Sequence, residues 1–246
     1  MPAMRIVCVH GYGCGGEDWD AQRAALAPRH EVFAPDLPGH GSTPGAPQDA
    51  SIARFASEVA KLIEPATLLV GHSMGCRVVL EAAKNNSSDV AGIVLIDGSR
   101  IGSASNRIEA LGYARFIDGF FGAMIPNPLL QADALLARAK RMPADFGTAL
   151  FRDIVRWDAA ELDAALAAVR VPLLAIQSTA INPEGKRVML KAGESSPWLD
   201  LLRRGIPSAE IRIISSVGHF TQIEAADEVS RLIGDFSACA LQERRR

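Results

Sequence analysis

The sequence predicts an α/β fold: a mostly parallel, doubly wound sheet with an inserted helical cap. Three observations predict it. Short apolar runs alternate with helical patterns along the chain, as in βαβ units. Those runs are continuously apolar rather than alternating, as strands covered by helices on both faces must be. One long stretch, from Asp97 to Val171, carries helical periods without a convincing strand and breaks the alternation.

Taken in order, the first strand is expected near Met4–Val9, on the run Ile6-Val7-Cys8-Val9. A glycine-rich turn then leads to a helix near Trp19–Ala27 and a second strand near Glu31–Ala34. A helix near Ile52–Ile63 precedes the run Ala66-Thr67-Leu68-Leu69-Val70, read as a strand over Thr67–Val70. Cys76–Asn85 is helical, and Gly92–Ile96 is the next strand. After the long excursion come a strand at Pro172–Ile176, a helix at Pro197–Arg204, a strand at Glu210–Ile214 and a helix at Ala225–Ala240. A chain of 246 residues fits one sizeable core. The expected division is a sheet core from residues 1–100 and 168–246, with a cap over 101–167.

That excursion contains Tyr113, Phe116, Phe120, Phe121, Met124, Ile125, Leu129 and Leu130, interrupted by Pro126 and Pro128. Inserted between two sheet strands, it is expected to lie over the carboxyl ends of the strands, where open α/β sheets bind ligands. Buried apolar residues are most often packing. Phe116, Phe120, Phe121 and Met124 are nonetheless the expected substrate-binding residues.

Composition excludes several functions. With 48% hydrophobic and 22% charged residues and a formal net charge of −2, nothing favours nucleic acid or an anionic membrane as partner. The expected partner is a small molecule with a hydrophobic portion; oligomeric state is not legible. No apolar stretch reaches membrane-spanning length, and Met1-Pro2-Ala3 leaves no room for a signal peptide before the first strand. Cys8, Cys14, Cys76 and Cys239 lack metal-ligand or disulfide-framework spacing, so they are read as reduced thiols of a cytoplasmic protein. Cys14 and Cys76 could flank a pocket, although small packed residues serve equally well there. Arg244-Arg245-Arg246 reads as a solvated basic tip. No metal or cofactor is expected.

Gly71-His72-Ser73-Met74-Gly75 carries the chemistry. Between a strand and a helix, G-x-S-x-G is a nucleophile elbow: the serine occupies a strained turn, and side chains two residues either side would crowd strand and helix. A serine hydroxyl is a poor nucleophile at neutral pH and needs a base within hydrogen-bond reach. Among His10, His30, His40, His72 and His219, the last is the candidate. It follows the final strand, and parallel strands all end on one side of the sheet. His10 is assigned a structural or oxyanion-loop role, and His40 and His72 structural ones.

The base needs an acid to orient it and stabilise its charge. The loop Gln177-Ser178-Thr179-Ala180-Ile181-Asn182-Pro183-Glu184 has no aspartate near Ile181, whereas the strand before it ends in Asp97. Asp97 is therefore the expected acid. It could instead cap the amides of the next loop; Glu184 is the main rival and Glu224 a distant third. For a developing oxyanion, the loop His10-Gly11-Tyr12-Gly13-Cys14-Gly15-Gly16 offers the backbone N–H of Tyr12, and Met74 offers a second. The same loop could cradle a nucleotide, but no P-loop lysine follows and none is expected to bind.

These elements together resemble the α/β-hydrolase superfamily over nearly the whole chain: His10-Gly11-Tyr12-Gly13 with Trp19, Asp36-Leu37-Pro38-Gly39-His40-Gly41-Ser42, Gly71-His72-Ser73-Met74-Gly75 and Gly218-His219-Phe220. The resemblance implies a hydrolytic Ser–His–acid centre, a helical cap, and oxyanion amides from Tyr12 and Met74. Two features depart from the pattern. The first strand corresponds to the family's third, without the antiparallel hairpin that often opens the sheet. The acid is missing from the usual loop, and relatives that carry it at the end of the preceding strand would match Asp97. Ser73 in the nucleophile slot argues against aspartate-dependent dehalogenases and epoxide hydrolases. The expected activity is cleavage of a carboxylic ester or lactone through an acyl-enzyme. Alternatives are a carbon–carbon bond hydrolase of ring-fission products, whose carboxylate Arg77 or Arg100 could pair, or a slow-turnover ligand receptor. Surface ion pairs are the more ordinary fate for both arginines.

Overall fold

The apolar runs pair as parallel strands. The computed structural model describes residues 3–101, 108, 111–124, 132–182 and 184–244. Its strands are β1 (Arg5–Val9), β2 (Glu31–Phe33), β3 (Thr67–His72), β4 (Val90–Ile96), β5 (Leu173–Gln177), β6 (Thr179–Ile181), β7 (Arg187–Met189) and β8 (Glu210–Ile213). The described helices are numbered here α1 (Asp20–Leu26), α2 (Ile52–Ala60), α3 (Met74–Lys84), α4 (Tyr113–Met124), α5 (Ala132–Arg141), α6 (Ala144–Ala160), α7 (Leu162–Ala167), α8 (Pro197–Gly205), α9 (Thr221–Glu224) and α10 (Ala226–Glu243). A 6-stranded sheet runs in the order β2-β1-β3-β4-β5-β8, each pairing parallel.

Side chains alternate across this sheet, and the two faces collect different cores. Val7, Val9, Leu69, Ile93, Leu95 and Ala175 join α2 and α3 on one face. Ile6, Cys8, Leu68, Val70, Val94 and Ile176 meet Leu26 of α1 and Val229, Ile233 and Phe236 of α10 on the other. Every residue of β3 and β4 is buried, which is why their runs lack polar alternation. Local signals set the helix starts: Ser51 Oγ accepts from Arg54 N before α2, and Ser196 Oγ accepts from Leu199 N with Pro197 as the first residue of α8.

Between β4 and β5 the described chain is helical, α4 to α7. Ile125, Pro126, Pro128, Leu129 and Leu130 lie outside the described residues, as do Met1, Pro2, Pro183, Arg245 and Arg246. Phe116, Phe121, Met124, Phe146, Phe151 and Trp157 of this insertion belong to the same apolar cluster as Val7, Val9 and Leu69 of the sheet. The insertion's apolar residues therefore pack into a core shared with the sheet.

Two details differ from the sequence expectation. The helix after the elbow begins at Met74, directly after Ser73. The loop after β5 is an antiparallel hairpin, β6 paired with β7. The sequence Asn182-Pro183-Glu184-Gly185, rich in turn-forming residue types between two short triplets, was the available signal. No described helix is long and apolar enough to cross a membrane. Cys8, Cys14, Cys76 and Cys239 are unpaired, the first three buried.

Candidate active site

Ser73 sits where β3 turns into α3, with φ +54° and ψ −113°. Such a conformation costs an L-residue about 1–3 kcal/mol and persists only where the surroundings over-determine it. Here the neighbours do so. A Cβ on Gly71 would lie 2.4 Å from Gly75 O, and one on Gly75 would lie 2.2 Å from Val9 O. Only glycine lets strand, turn and helix come this close. Ser73 N donates to Ile96 O at 2.9 Å, tying the elbow to the end of β4.

Asp97 directly follows the neighbouring strand β4, also at positive φ (+46°), and is fully buried. His219 comes from the loop after β8. The structure brings these three side chains together. His219 Nε2 lies 2.9 Å from Ser73 Oγ, and His219 Nδ1 lies 2.5 Å from Asp97 Oδ2. Because the carboxylate can only accept, Nδ1 carries the proton, and Nε2 is left to receive one from Ser73. Burial would raise the Asp97 carboxyl, but the hydrogen bond and charge of His219, with Arg187 and Thr179, bring it down to about 2. Burial, followed by the Arg187 cation, lowers His219 to about 4 against the opposing pull of Asp97. The pair is thus an ionised acid and a neutral base across neutral pH. Such a set can deprotonate a hydroxyl and stabilise the resulting imidazolium.

The rival acids lie elsewhere. Glu184 is exposed in the hairpin turn. Glu224 Oε2 accepts from Gly218 N at 2.8 Å, bracing the backbone just before His219.

Supporting residues that sequence reasoning missed surround Asp97. Ser178 N and Thr179 N donate to Oδ1 at 2.9 and 2.8 Å, and Thr179 Oγ1 donates to Oδ2 at 2.5 Å. Ser178 Oγ donates onward to Gly218 O at 2.7 Å, so one residue fixes both the acid and the loop of the base. The two hydroxyl residues immediately after β5 were the legible hint. Arg187 gave none, being brought in only by the hairpin.

His10, His40 and His72 are buried and hydrogen-bonded within the protein. Leu37 N donates to His10 Nε2 at 3.0 Å, so His10 Nδ1 holds the proton and donates to Gly11 O at 2.8 Å. His72 Nε2 donates to His219 O at 2.8 Å. Burial lowers His10 to about 4 and His40 and His72 to about 3.

Tyr12 and Met74 are both buried, and the loop before Tyr12 runs against the nucleophile: a Cβ on Gly11 would lie 3.3 Å from Ser73 Cβ. The Tyr12 phenol is committed elsewhere, donating to Gly147 O of α6 at 2.8 Å. Gly11, Gly13 and Gly16 formally have dinucleotide-loop spacing. Gly15 N and Gly16 N, which such a loop would turn toward a phosphate, instead donate to Asp18 Oδ2 and Asp36 Oδ1.

From α4, Phe120 meets the Tyr12 ring edge-on at 6.0 Å, Phe116 packs on Phe151 at 4.7 Å, and Phe121 stacks on Phe220 at 6.1 Å. Met124 O accepts from His219 N at 3.3 Å. Phe121 and Met124 thus lie beside the His219–Phe220 segment and Phe120 beside Tyr12, whereas Phe116 meets Phe151. Phe116, Phe121 and Met124 are buried and Phe120 is partly open.

The arginines divide. Arg100 makes the expected surface pair, with Asp163 at 2.6 Å. Arg77 corrects the expectation. It is buried, pairs with Asp158 through Nε at 2.7 Å and Nη2 at 2.5 Å, and donates to Ser99 O and Ser73 O. Its charge is spent inside the protein. Cys14 and Cys76 are packed, with burial raising both thiols, Cys76 to about 12.

The alpha/beta hydrolase family matches residues 6–232 of the chain. The dihydrolipoyllysine-residue acetyltransferase component of an acetoin cleaving system from Pseudomonas putida is 28% identical over 245 residues, covering 92% of this chain and 61% of that protein. The chain thus spans about three fifths of that relative's length. Among solved structures, a hydrolase from Oleispira antarctica superposes with a TM-score of 0.79 at 14% identity, covering 96% of this chain and 91% of its own. A thermophilic esterase from Thermogutta terrifontis gives 0.75 at 19% identity, covering 97% and 91%. At such identities these two similarities concern the fold alone.

Proposed function

The chain belongs to the alpha/beta hydrolase family; from that premise we propose that it is a hydrolase that cleaves a carboxylic ester or lactone with Ser73 as nucleophile, His219 as base and Asp97 as acid. What carries this reading is the unbroken hydrogen-bonded path from Ser73 Oγ through His219 to Asp97, 2.9 and 2.5 Å long.

Each step follows from the chemistry of these groups. Ser73 Oγ bonds to the carbonyl carbon while its proton passes to His219 Nε2, and the carbonyl oxygen becomes an oxyanion. The backbone N–H groups of Tyr12 and Met74 are its proposed donors. The imidazolium, held against Asp97, then gives its proton to the departing alkoxide as the acyl–oxygen bond breaks. Water next attacks the acyl-enzyme, losing a proton to His219, and the acid leaves as Ser73 regains its hydrogen. Phe116, Phe120, Phe121 and Met124 are the proposed contacts for the hydrophobic part of a small substrate.

No observation favours a ring-fission substrate, since Arg77 is taken by Asp158 and Arg100 by Asp163. The decisive experiment uses p-nitrophenyl butyrate and a fluorophosphonate probe. Steady turnover and covalent labelling, both abolished in Ser73→Ala, are expected. Labelling without turnover would point to a ligand receptor instead, and turnover surviving in Ser73→Ala would overturn the assignment.

A further inference from the structure

The hairpin β6–β7 takes no part in that reaction scheme, yet it delivers a cation to the buried acid. Arg187 opens β7, and its side chain is only 10% exposed. Its Nη1 donates to Thr179 Oγ1 at 2.7 Å and lies 3.4 Å from Asp97 Oδ2. A threonine hydroxyl has one proton. With a guanidinium donating into its oxygen, that proton is directed to Asp97 Oδ2, at 2.5 Å. Arginine, hydroxyl and carboxylate thus form a one-way relay ending on the oxygen that also accepts from His219.

We infer that Arg187 is a positioning residue of the hydrolytic centre, which fixes the Asp97 carboxylate through Thr179 and keeps His219 neutral and proton-accepting in mildly acidic solution. This rests on the roles proposed above for Ser73, His219 and Asp97. Several charged and titratable groups of the described residues surround the imidazole. Facing it are Asp97 from the end of β4, His72 from the elbow, Arg77 from α3, Arg187 from β7 and, beyond Gly218, Glu224 of α9. Arg77 is neutralised by Asp158, and His72 is buried and neutral. Arg187 instead shares Asp97 with His219. A carboxylate already partnered by a guanidinium stabilises an imidazolium less. His219 then remains a free base at lower pH, and its protonated form is a stronger acid toward a departing alkoxide.

The test is the pH dependence of kcat/KM for p-nitrophenyl butyrate and of the fluorophosphonate labelling rate. In the wild type both should hold on the acid side to below the ordinary histidine range. Arg187→Gln keeps a donor near Thr179 but loses the charge, and should move the acid limb up by about one pH unit. Arg187→Lys should return it to the wild-type position. A lowered plateau with an unmoved limb in Arg187→Gln would overturn the inference, as would equal shifts in both variants. Should Arg187→Gln fail to fold, Arg187→Met takes its place with ring-nitrogen NMR of His219 as the readout. A ring that gains its second proton at higher pH than in the wild type is expected, and an unmoved titration overturns the inference. Turnover in Ser73→Ala is the separate result that removes the underlying reading.

Discussion

Asp97 takes all four of its close hydrogen bonds from donors fixed in place: two backbone amides, the Thr179 hydroxyl and the His219 ring. Replacing it with asparagine keeps the shape but puts an N–H₂ among donors and removes the charge that fixes the His219 tautomer. Asp97→Asn should lower kcat by about four orders of magnitude, measured with p-nitrophenyl butyrate, while Glu184→Gln should leave it unchanged. The reverse result would move the acid role to the hairpin turn. At this scale the sequence was informative wherever chemistry demanded a local pattern. Ser73 is bracketed by Gly71 and Gly75, and His219 follows the last strand. Asp97 emerged by elimination from a loop lacking aspartate. Arg77 was misread because its partner, Asp158, is remote in sequence, and no local spacing reports such a pair.

At the scale of elements, the turn between β3 and α3 depends on contacts shorter than a methyl group can tolerate. Gly75→Ala should destabilise the fold by about 3 kcal/mol, read from the denaturant midpoint, with activity lost in the fraction that still folds. The four inner strands, β1, β3, β4 and β5, were legible as continuous apolar runs because burial on both faces removes the need for alternation. The edge strands β2 and β8 are instead partly exposed, and β8 alternates as Glu210-Ile211-Arg212-Ile213. The hairpin was not legible. Three-residue strands hold less than two full periods, and β7 leaves Val188 and Met189 exposed, so hydropathy gives no outline. That is also why Arg187, carried on β7, was invisible. The proposed substrate contacts lie on α4. Phe120→Ala, which opens space beside Tyr12, should raise KM for longer acyl chains more than for acetate esters in a chain-length series.

For the molecule as a whole, buried neutral imidazoles set the response to acid. His10, His40, His72 and His219 have folded-state values lowered from 6.5 to about 4, 3, 3 and 4, burial being the first cause in each. Between pH 6.5 and about 4 the unfolded chain binds more protons than the native one, so stability falls as pH falls through that window. Each histidine contributes about 1.4 kcal/mol per pH unit. Asp18, raised to about 7 by burial, opposes them by one proton. Denaturant midpoints should therefore drop steeply between pH 6 and 4.5, and a flat profile would contradict the assignment of these rings as neutral. Breaking the interior ion pair has a comparable effect at neutral pH. Asp158→Ala strands Arg77 without a counter-charge and should cost about 3–5 kcal/mol, measured by chemical denaturation.

Polar contacts tie the insertion to the rest of the domain, among them Tyr12 Oη to Gly147 O, Arg77 to Asp158, and Arg138 to Asp18. Together with the apolar cluster they share, these leave the insertion no interior of its own to retain once the sheet has melted. Heating should accordingly give a single calorimetric endotherm whose van't Hoff and calorimetric enthalpies agree.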